Sequence, residues 1–274
     1  MIDLSESVAR ASEPKSANGA DRVLRALRLL AERPRGVRLE DFSHDLGAPR
    51  STTHRVLATL CRAGLAYQDE NGWYRLSLEF LRLAFKHYEA LDVRNLVQGI
   101  LESLVERLGE TAYYAQLDEA EVVYVAMVNA PGYLHTASVV GARAPAYRTG
   151  LGKALLAYSL VDRAAVVRFV EKYGPLQAST TNSLTSSGAL DRDLAATRSR
   201  GYALDNEENE AGVNCIAFPV SLGTVERPTG AISVAAIKLR TPLSELVAHA
   251  DEIRDLIERH LGYGAVPRPA GRNG

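Results

Sequence analysis

The sequence predicts an α+β chain: a winged helix-turn-helix at the N-terminus, then a second domain of interleaved helices and strands. Three observations carry this. Val56, Leu57 and Leu60 share one helical face with Thr53 one turn earlier. Asn71-Gly72 separates two short strand-like runs directly after three helical segments. From about residue 94 to 262, apolar runs alternate with amphipathic helical patterns, with at least two adjacent strands antiparallel.

The N-terminal residues 1–19 are polar, rich in Ser and Ala, and read as a disordered lead-in. Their acids and lack of an apolar centre argue against a signal peptide. Residues 20–77 form the winged head. Asp21–Arg33 places Val23, Leu24, Leu27 and Leu30 on one helical face, and Pro34 and Gly36 stop it. Leu39–Leu46 is a short helix with Leu39, Phe42 and Leu46 inward, and Gly47-Ala48-Pro49 turns into the next.

That next stretch, APRSTTHRVLATLCRAG (Ala48–Gly64), holds three arginines and no acid. Ser51, Arg55, Ala58 and Arg62 fall opposite the apolar face. Pro49 suits a first helical turn and the hydroxyls suit capping. Small polar groups and Arg at a helix N-terminus fit a major groove and its phosphates, so Arg50, Ser51, Thr52 and Arg55 are the candidate DNA contacts. A surface amphipathic helix gives the same pattern, and the neighbours decide. Leu65–Gln68 and Trp73–Leu76 are the strands of a wing, which favours DNA. Some winged helices bind only protein, and Asp69 and Glu70 near the wing tip sit poorly beside phosphates.

Residues 78–93 read as a linker helix. Leu81, Leu83, Ala84 and Tyr88 make an apolar face flanked by Phe80 and Phe85, expected to pack on another subunit or on the second domain. In that domain, 94–262, Val93–Leu108 is a helix with Leu96, Ile100, Leu104 and Leu108 in register, closed by Gly109. Strands are expected at Thr111–Gln116, Glu121–Val128, Leu134–Val140, Val213–Val220 and Gly230–Ile237. Helices are expected at Gly152–Ser159, Arg163–Tyr173, Leu190–Arg200 (capped by Ser187, stopped by Gly201) and Pro242–Leu261. Gly174–Ser187 is a polar loop, and the Pro/Gly-rich tail 263–274 is expected to be flexible.

Composition sets outer limits. The 274 residues are 46% hydrophobic with a formal net charge of −1, which gives no global basic field. Residues 1–90 hold 14 Lys and Arg against 12 Asp and Glu, and residues 91–274 hold 18 against 21, a basic head on an acidic body. Cys61 and Cys215 are too far apart in sequence for a CxxC motif and suggest reducing cytoplasm. No apolar run is long enough for a membrane span.

Motifs for chemistry are few. Thr149-Gly150-Leu151-Gly152-Lys153-Ala154 opens a helix, where free N–H groups accept an anion and Gly permits close approach. A phosphate loop is excluded, because GxxxxGK[ST] needs Gly where Tyr147 stands and a hydroxyl where Ala154 stands. Helix–sheet packing is the other use of these glycines. Asp205, Glu207, Glu208 and Glu210 suit a solvated loop better than a metal site, since no ligand-spaced histidines accompany them. Met127, Tyr133 and His135 either shape a cavity or belong to the core. No GxSxG motif or Cys/His pair marks a catalytic residue, and no cofactor or metal is expected.

RVLRALRLLAE, LGAPRSTTHRVLATLCRAGL and YRL resemble the head of an IclR-type transcriptional regulator. GARAPAYRTGLGKALLA, RGYALDNEENEAGVNCIAFPV and GAISV resemble its effector domain, so the likeness covers about residues 20–262. The resemblance implies a GAF-like α/β effector-binding domain and a homodimer or dimer-of-dimers. It implies double-stranded DNA with a partly palindromic operator as partner, and a small organic acid, aromatic acid or sugar as effector. Many members repress catabolic operons. It places the ligand carboxylate on the backbone N–H groups of Gly150 and Leu151, with Asp205, Cys215 and Ser233 at pocket positions. Cys215 in its apolar strand also reads as an inert buried thiol. Ala235 stands where relatives carry a second Ser, which favours a larger or less polar ligand. A winged-helix protein-interaction module and an enzyme acting on the bound metabolite are the competing readings.

Overall fold

The computed structural model describes residues 19–89, 92–131, 139–222 and 227–267, which fall into two compact units dividing after Ala90. Of the expected strand Leu134–Val140 only Val139 and Val140 are described, neither of them in a strand, and Tyr133, His135 and the side chain of Tyr88 lie outside the described residues.

The first unit is built on α1 (Gly19–Ala31), α2 (Leu39–Leu46) and α3 (Arg50–Arg62). Strands β1 (Val37–Arg38), β2 (Ala66–Gln68) and β3 (Trp73–Leu76) pair antiparallel in the order β1-β3-β2. Its core joins Ala26, Leu30, Phe42, Leu46, Val56, Leu57, Leu60 and Tyr74. In α3 the buried face is Thr53, Val56, Leu57 and Leu60, as the spacing requires. On α1, Leu24 is exposed and Ala26 takes the buried position, because the contact face centres on Ala26 and Leu30. The expected hydroxyl cap of α3 does not form. Pro49 is the N-cap, without a side-chain bond, and the Thr53 hydroxyl donates to the Ala48 and Pro49 carbonyls instead.

Two further features of the head depart from the expectation. β1 is too short for a periodic signal and exists only through pairing with β3. At the wing tip only Gly72 adopts positive φ (82°), and the turn is organised by Asp69. Asp69 Oδ1 accepts the N–H of Asn71 (3.0 Å) and Trp73 (2.9 Å), while Oδ2 accepts Arg75 Nε (3.3 Å). α4 (Leu78–Glu89) follows, with Leu78, Leu81, Leu83 and Phe85 exposed.

The second unit opens with α5 (Asp92–Leu108), the helix expected over Val93–Leu108. A six-stranded antiparallel sheet forms its centre: β4 (Thr111–Asp118), β5 (Glu121–Val128), β6 (Arg143–Pro145), β7 (Ala203–Asn206), β8 (Val213–Val220) and β9 (Gly230–Ile237). The order is β6-β5-β4-β9-β8-β7, so the two short strands β6 and β7 are the edges. They carry no usable alternation of their own and were not expected.

Each sheet face is covered. One packs against α6 (Gly150–Ser159), α7 (Arg163–Tyr173) and α8 (Ser187–Arg200) through Leu151, Leu155, Val166, Phe169, Leu190 and Leu194. The other packs against α5, α9 (Leu243–Ala248) and α10 (Ala250–Leu261). The buried stripe of α5 is Val97, Ile100, Leu101, Leu104 and Val105, whereas Leu96 is exposed. The single closing helix expected over Pro242–Leu261 is two helices, broken at His249. The cap of α8 is Ser186 rather than Ser187, its Oγ accepting the Ala189 N–H at 3.2 Å. The expected flexible tail is partly docked: Ala265 and Val266 are buried, and the Ala265 carbonyl accepts the Ser221 N–H at 2.8 Å.

Candidate functional site

Strand pairing brings distant residues to one place. Asp205 lies opposite Cys215, Cys215 opposite Ala235, and Ala235 opposite Thr111. Two residues along, Ala217, Ser233 and Tyr113 form the next row on the same face. The first turn of α6 sits above these rows. They enclose a cavity of about 50 Å³ lined by Gly150, Leu151, Asp205, Cys215 and Ser233, together with Thr149, Tyr113, Tyr124, Asn209, Glu210, Val213 and Ala235.

The mouth of α6 has the geometry of an anion site. Thr149 is its N-cap, and Thr149 Oγ1 accepts the Gly152 N–H at 3.0 Å. No hydrogen bond among the described residues takes up the N–H of Gly150 or Leu151, and both residues line the cavity. A second observation points the same way: Ser233 Oγ is buried on the cavity wall with no partner among the described residues. The glycines serve packing as well. A Cβ on Gly150 would meet Cys215 Sγ at 3.2 Å, and one on Gly152 would lie 2.2 Å from the Ala146 carbonyl oxygen.

The acidic run resolves into separate roles. Asp205 Oδ1 accepts the N–H of Glu208 (2.7 Å) and of Asn209 (3.4 Å). Burial pushes its carboxyl up to about 7, aided by the charge of Glu208 and opposed by those amides and by Lys153. Glu208 turns inward to Lys153, with Nζ to Oε1 at 2.5 Å, and burial holds its carboxyl above the usual range. Lys153 is fully buried and also lies 3.2 Å from Asp193 of α8. Glu207 pairs with Lys238 outside the cavity. Burial drives the Cys215 thiol up to about 12, so it stays protonated.

Lys153 was not singled out in the sequence. Its only signal is a cation inside an otherwise apolar helix, where burial demands partners. Nor were Tyr113 and Tyr124, whose rings meet edge to face at 5.5 Å on the cavity wall. The polar loop before α8 pins the acidic loop: Thr180 Oγ1 donates to the Glu207 carbonyl and Ser183 Oγ to that of Glu208, each at 2.6 Å. Met127 packs against the core beside this cavity without lining it.

In the head, Ser51 and Arg55 are exposed, and Thr52 is half-buried. Arg50 is exposed and pairs with Glu40 at 3.0 Å. Asp69, the main support for a protein-binding wing, is spent on the wing's own turn.

A winged helix-turn-helix and a three-layer domain with an anion-ready cavity define a ligand-responsive DNA-binding regulator. The description "IclR helix-turn-helix domain" matches residues 19–70, and "Bacterial transcriptional regulator IclR C-terminal" matches residues 85–259. The HTH-type transcriptional regulator XynR of Escherichia coli K12 is 33% identical over 249 residues, covering 89% of this chain and 97% of that protein. The HTH-type transcriptional regulator BhcR of Paracoccus denitrificans is 34% identical, covering 90% and 87%. In fold, the chain is similar to an IclR homologue from Microbacterium hydrocarbonoxydans, crystallised with 4-hydroxybenzoate. The TM-score there is 0.75 at 24% identity, covering 89% of this chain and 99% of that one. The chain belongs to the IclR family of bacterial transcriptional regulators.

Proposed function

We propose that this regulator senses a small organic acid in the cavity under α6 and represses a catabolic operon. The observation that carries the effector site is the convergence of Gly150, Leu151, Asp205, Cys215 and Ser233 on one small cavity with two free amides and an unpartnered hydroxyl. In this reading the amides hold the carboxylate, Ser233 donates to a second oxygen, and Tyr113 and Tyr124 bound the apolar end. The cavity size supports a small ligand over the larger one that Ala235 suggests. In this reading the pocket releases its ligand unchanged, which a Cys215 thiol held protonated by burial supports.

Arg50, Ser51, Thr52 and Arg55 contact one half-site of a partly palindromic operator, and a homodimer or dimer-of-dimers spans both halves. The exposed Leu78, Leu81, Leu83 and Phe85 of α4 support self-association. No helix among the described residues is long and apolar enough to cross a membrane, which fits action on cytoplasmic DNA. The test is a thermal-shift screen against carboxylic acids, aromatic acids and sugars, followed by operator binding with each hit. A ligand at about 100 times its Kd raises stability by roughly 2.7 kcal/mol. Hits confined to sugars refute the acid reading, and hits consumed during incubation refute a sensor.

A further inference from the structure

The cavity is built for an anion yet carries excess negative charge. Lys153 is the buried cation near it and contacts two carboxyl groups, Asp193 of α8 at 3.2 Å and Glu208 at 2.5 Å, while its charge also acts on Asp205. Asp205 and the exposed Glu210 are the carboxyl groups on the cavity wall. The nearby cations do not line the cavity: Arg148 Nε donates to the neutral Asn209 Oδ1 at 3.0 Å, Arg200 lies 4.0 Å from Asp193, and Lys238 pairs with Glu207. From the sheet come Cys215, Tyr113 and Tyr124, none of them positive, and no histidine is among the lining residues.

A carboxylate seated on the Gly150 and Leu151 amides shares about 50 Å³ with the Asp205 carboxyl. Two carboxylates in one dry site do not both stay ionised. The geometry assigns the oxygen. Asp205 Oδ1 is occupied by two backbone N–H groups, whereas no hydrogen bond among the described residues reaches Oδ2. We propose that the pocket takes up a small monocarboxylate together with one proton from solvent, carried on Asp205 Oδ2 and donated as an O–H hydrogen bond to the ligand carboxylate. The inference rests on the effector-pocket reading above. It makes the site selective for monoanions, because no cation is among the residues that line the cavity. The neutral Asp205 form that binding requires is within reach at neutral pH, since burial pushes its carboxyl up to about 7.

The test is calorimetric titration of the full chain at pH 6 and pH 8, in two buffers of different ionisation heat. The probes are acetate, pyruvate and benzoate as monoanions, and oxalate and sulfate as dianions at both pH values. A monoanion is expected to bind roughly tenfold more weakly at pH 8 than at pH 6, taking up nearly one proton at pH 8. Oxalate and sulfate are expected to bind more weakly at both. Asp205→Asn keeps the Oδ1 acceptor and supplies an N–H donor without a proton, so its binding is expected to be independent of pH and free of proton uptake. Wild-type binding without uptake and equal at both pH values overturns the inference and leaves the effector reading standing. An Asp205→Asn variant with the wild-type pH dependence overturns the role of Asp205. Absence of binding by every acid at both pH values overturns the effector reading and the inference with it.

Discussion

Lys153 shows what one buried charge does in this domain. It is fully buried, and its attraction to Glu208 and Asp193 offsets the cost of taking all three groups from water. Lys153→Met leaves Glu208 without its cation and Asp193 with only Arg200, 4.0 Å away, and is expected to cost about 3–5 kcal/mol, measured by urea unfolding. Adding Glu208→Gln to that variant is expected to recover part of the loss, because the two residues are coupled. Asp205 sets a second expectation, on pH. Its ordinary value is 3.8 and its folded value about 7, so the fold favours the neutral form. Below both values the proton is bound in both states. Between them the unfolded chain releases it while the folded chain keeps it, so stability falls as pH rises from about 4 to about 7 and then levels. The full effect is at most roughly 4 kcal/mol. Asp205→Asn is therefore expected to melt higher relative to wild type at pH 8 than at pH 5. The reverse order of melting points removes Asp205 as the group responsible.

Among elements, α6 links packing to function most directly. Its first turn presents the Gly150 and Leu151 amides only because Thr149 caps the helix and Gly152 lets it press on the preceding short 3-10 turn (Ala146–Arg148). A Cβ at Gly152 would lie 2.2–2.5 Å from the Ala146 backbone, which cannot yield as a side-chain tip would. Gly152→Ala is expected to lose about 1–3 kcal/mol and to abolish effector response, read as a lower melting point and no ligand-induced shift. The wing is the corresponding element of the head. Asp69→Ala frees two turn amides and the Arg75 pairing, at an expected cost of about 1–2 kcal/mol by thermal denaturation. This acid, which looked hostile to phosphate in the sequence, is a turn residue whose charge is held by backbone N–H groups, chiefly that of Trp73.

For the molecule as a whole, the head must recognise DNA with a modest positive excess, a net of two charges over residues 1–90. In the dimer proposed above, few ion pairs per protomer form with phosphate and the second protomer adds to the affinity. Affinity for an operator is expected to fall steeply with salt, and Arg55→Ala to lose about 1–3 kcal/mol of discrimination between operator and random DNA. Ligand binding in the second unit is expected to be untouched by that substitution. Salt-independent binding, or unchanged footprints, would remove α3 from the interface.

The periodic helices, the stops at Gly47, Gly109 and Gly201, the long strands β5, β8 and β9, and the winged head were legible in the sequence because each is encoded by neighbours within a turn or a strand. The anion-ready mouth of α6 was legible for the same reason, since a capped, glycine-rich helix start is a local motif. Tertiary structure decided what no local pattern contains. β1, β6 and β7 are two to four residues long and owe their form to a paired strand. The break at His249 and the docking of Ala265 and Val266 follow from fitting the sheet's second face. The cavity belongs to this group too. Residues 113, 150, 205, 215 and 233 meet only because the sheet runs β4-β9-β8-β7, and the protonation of Asp205 follows from its burial there, opposed by the Glu208 amide and by a lysine 52 positions earlier.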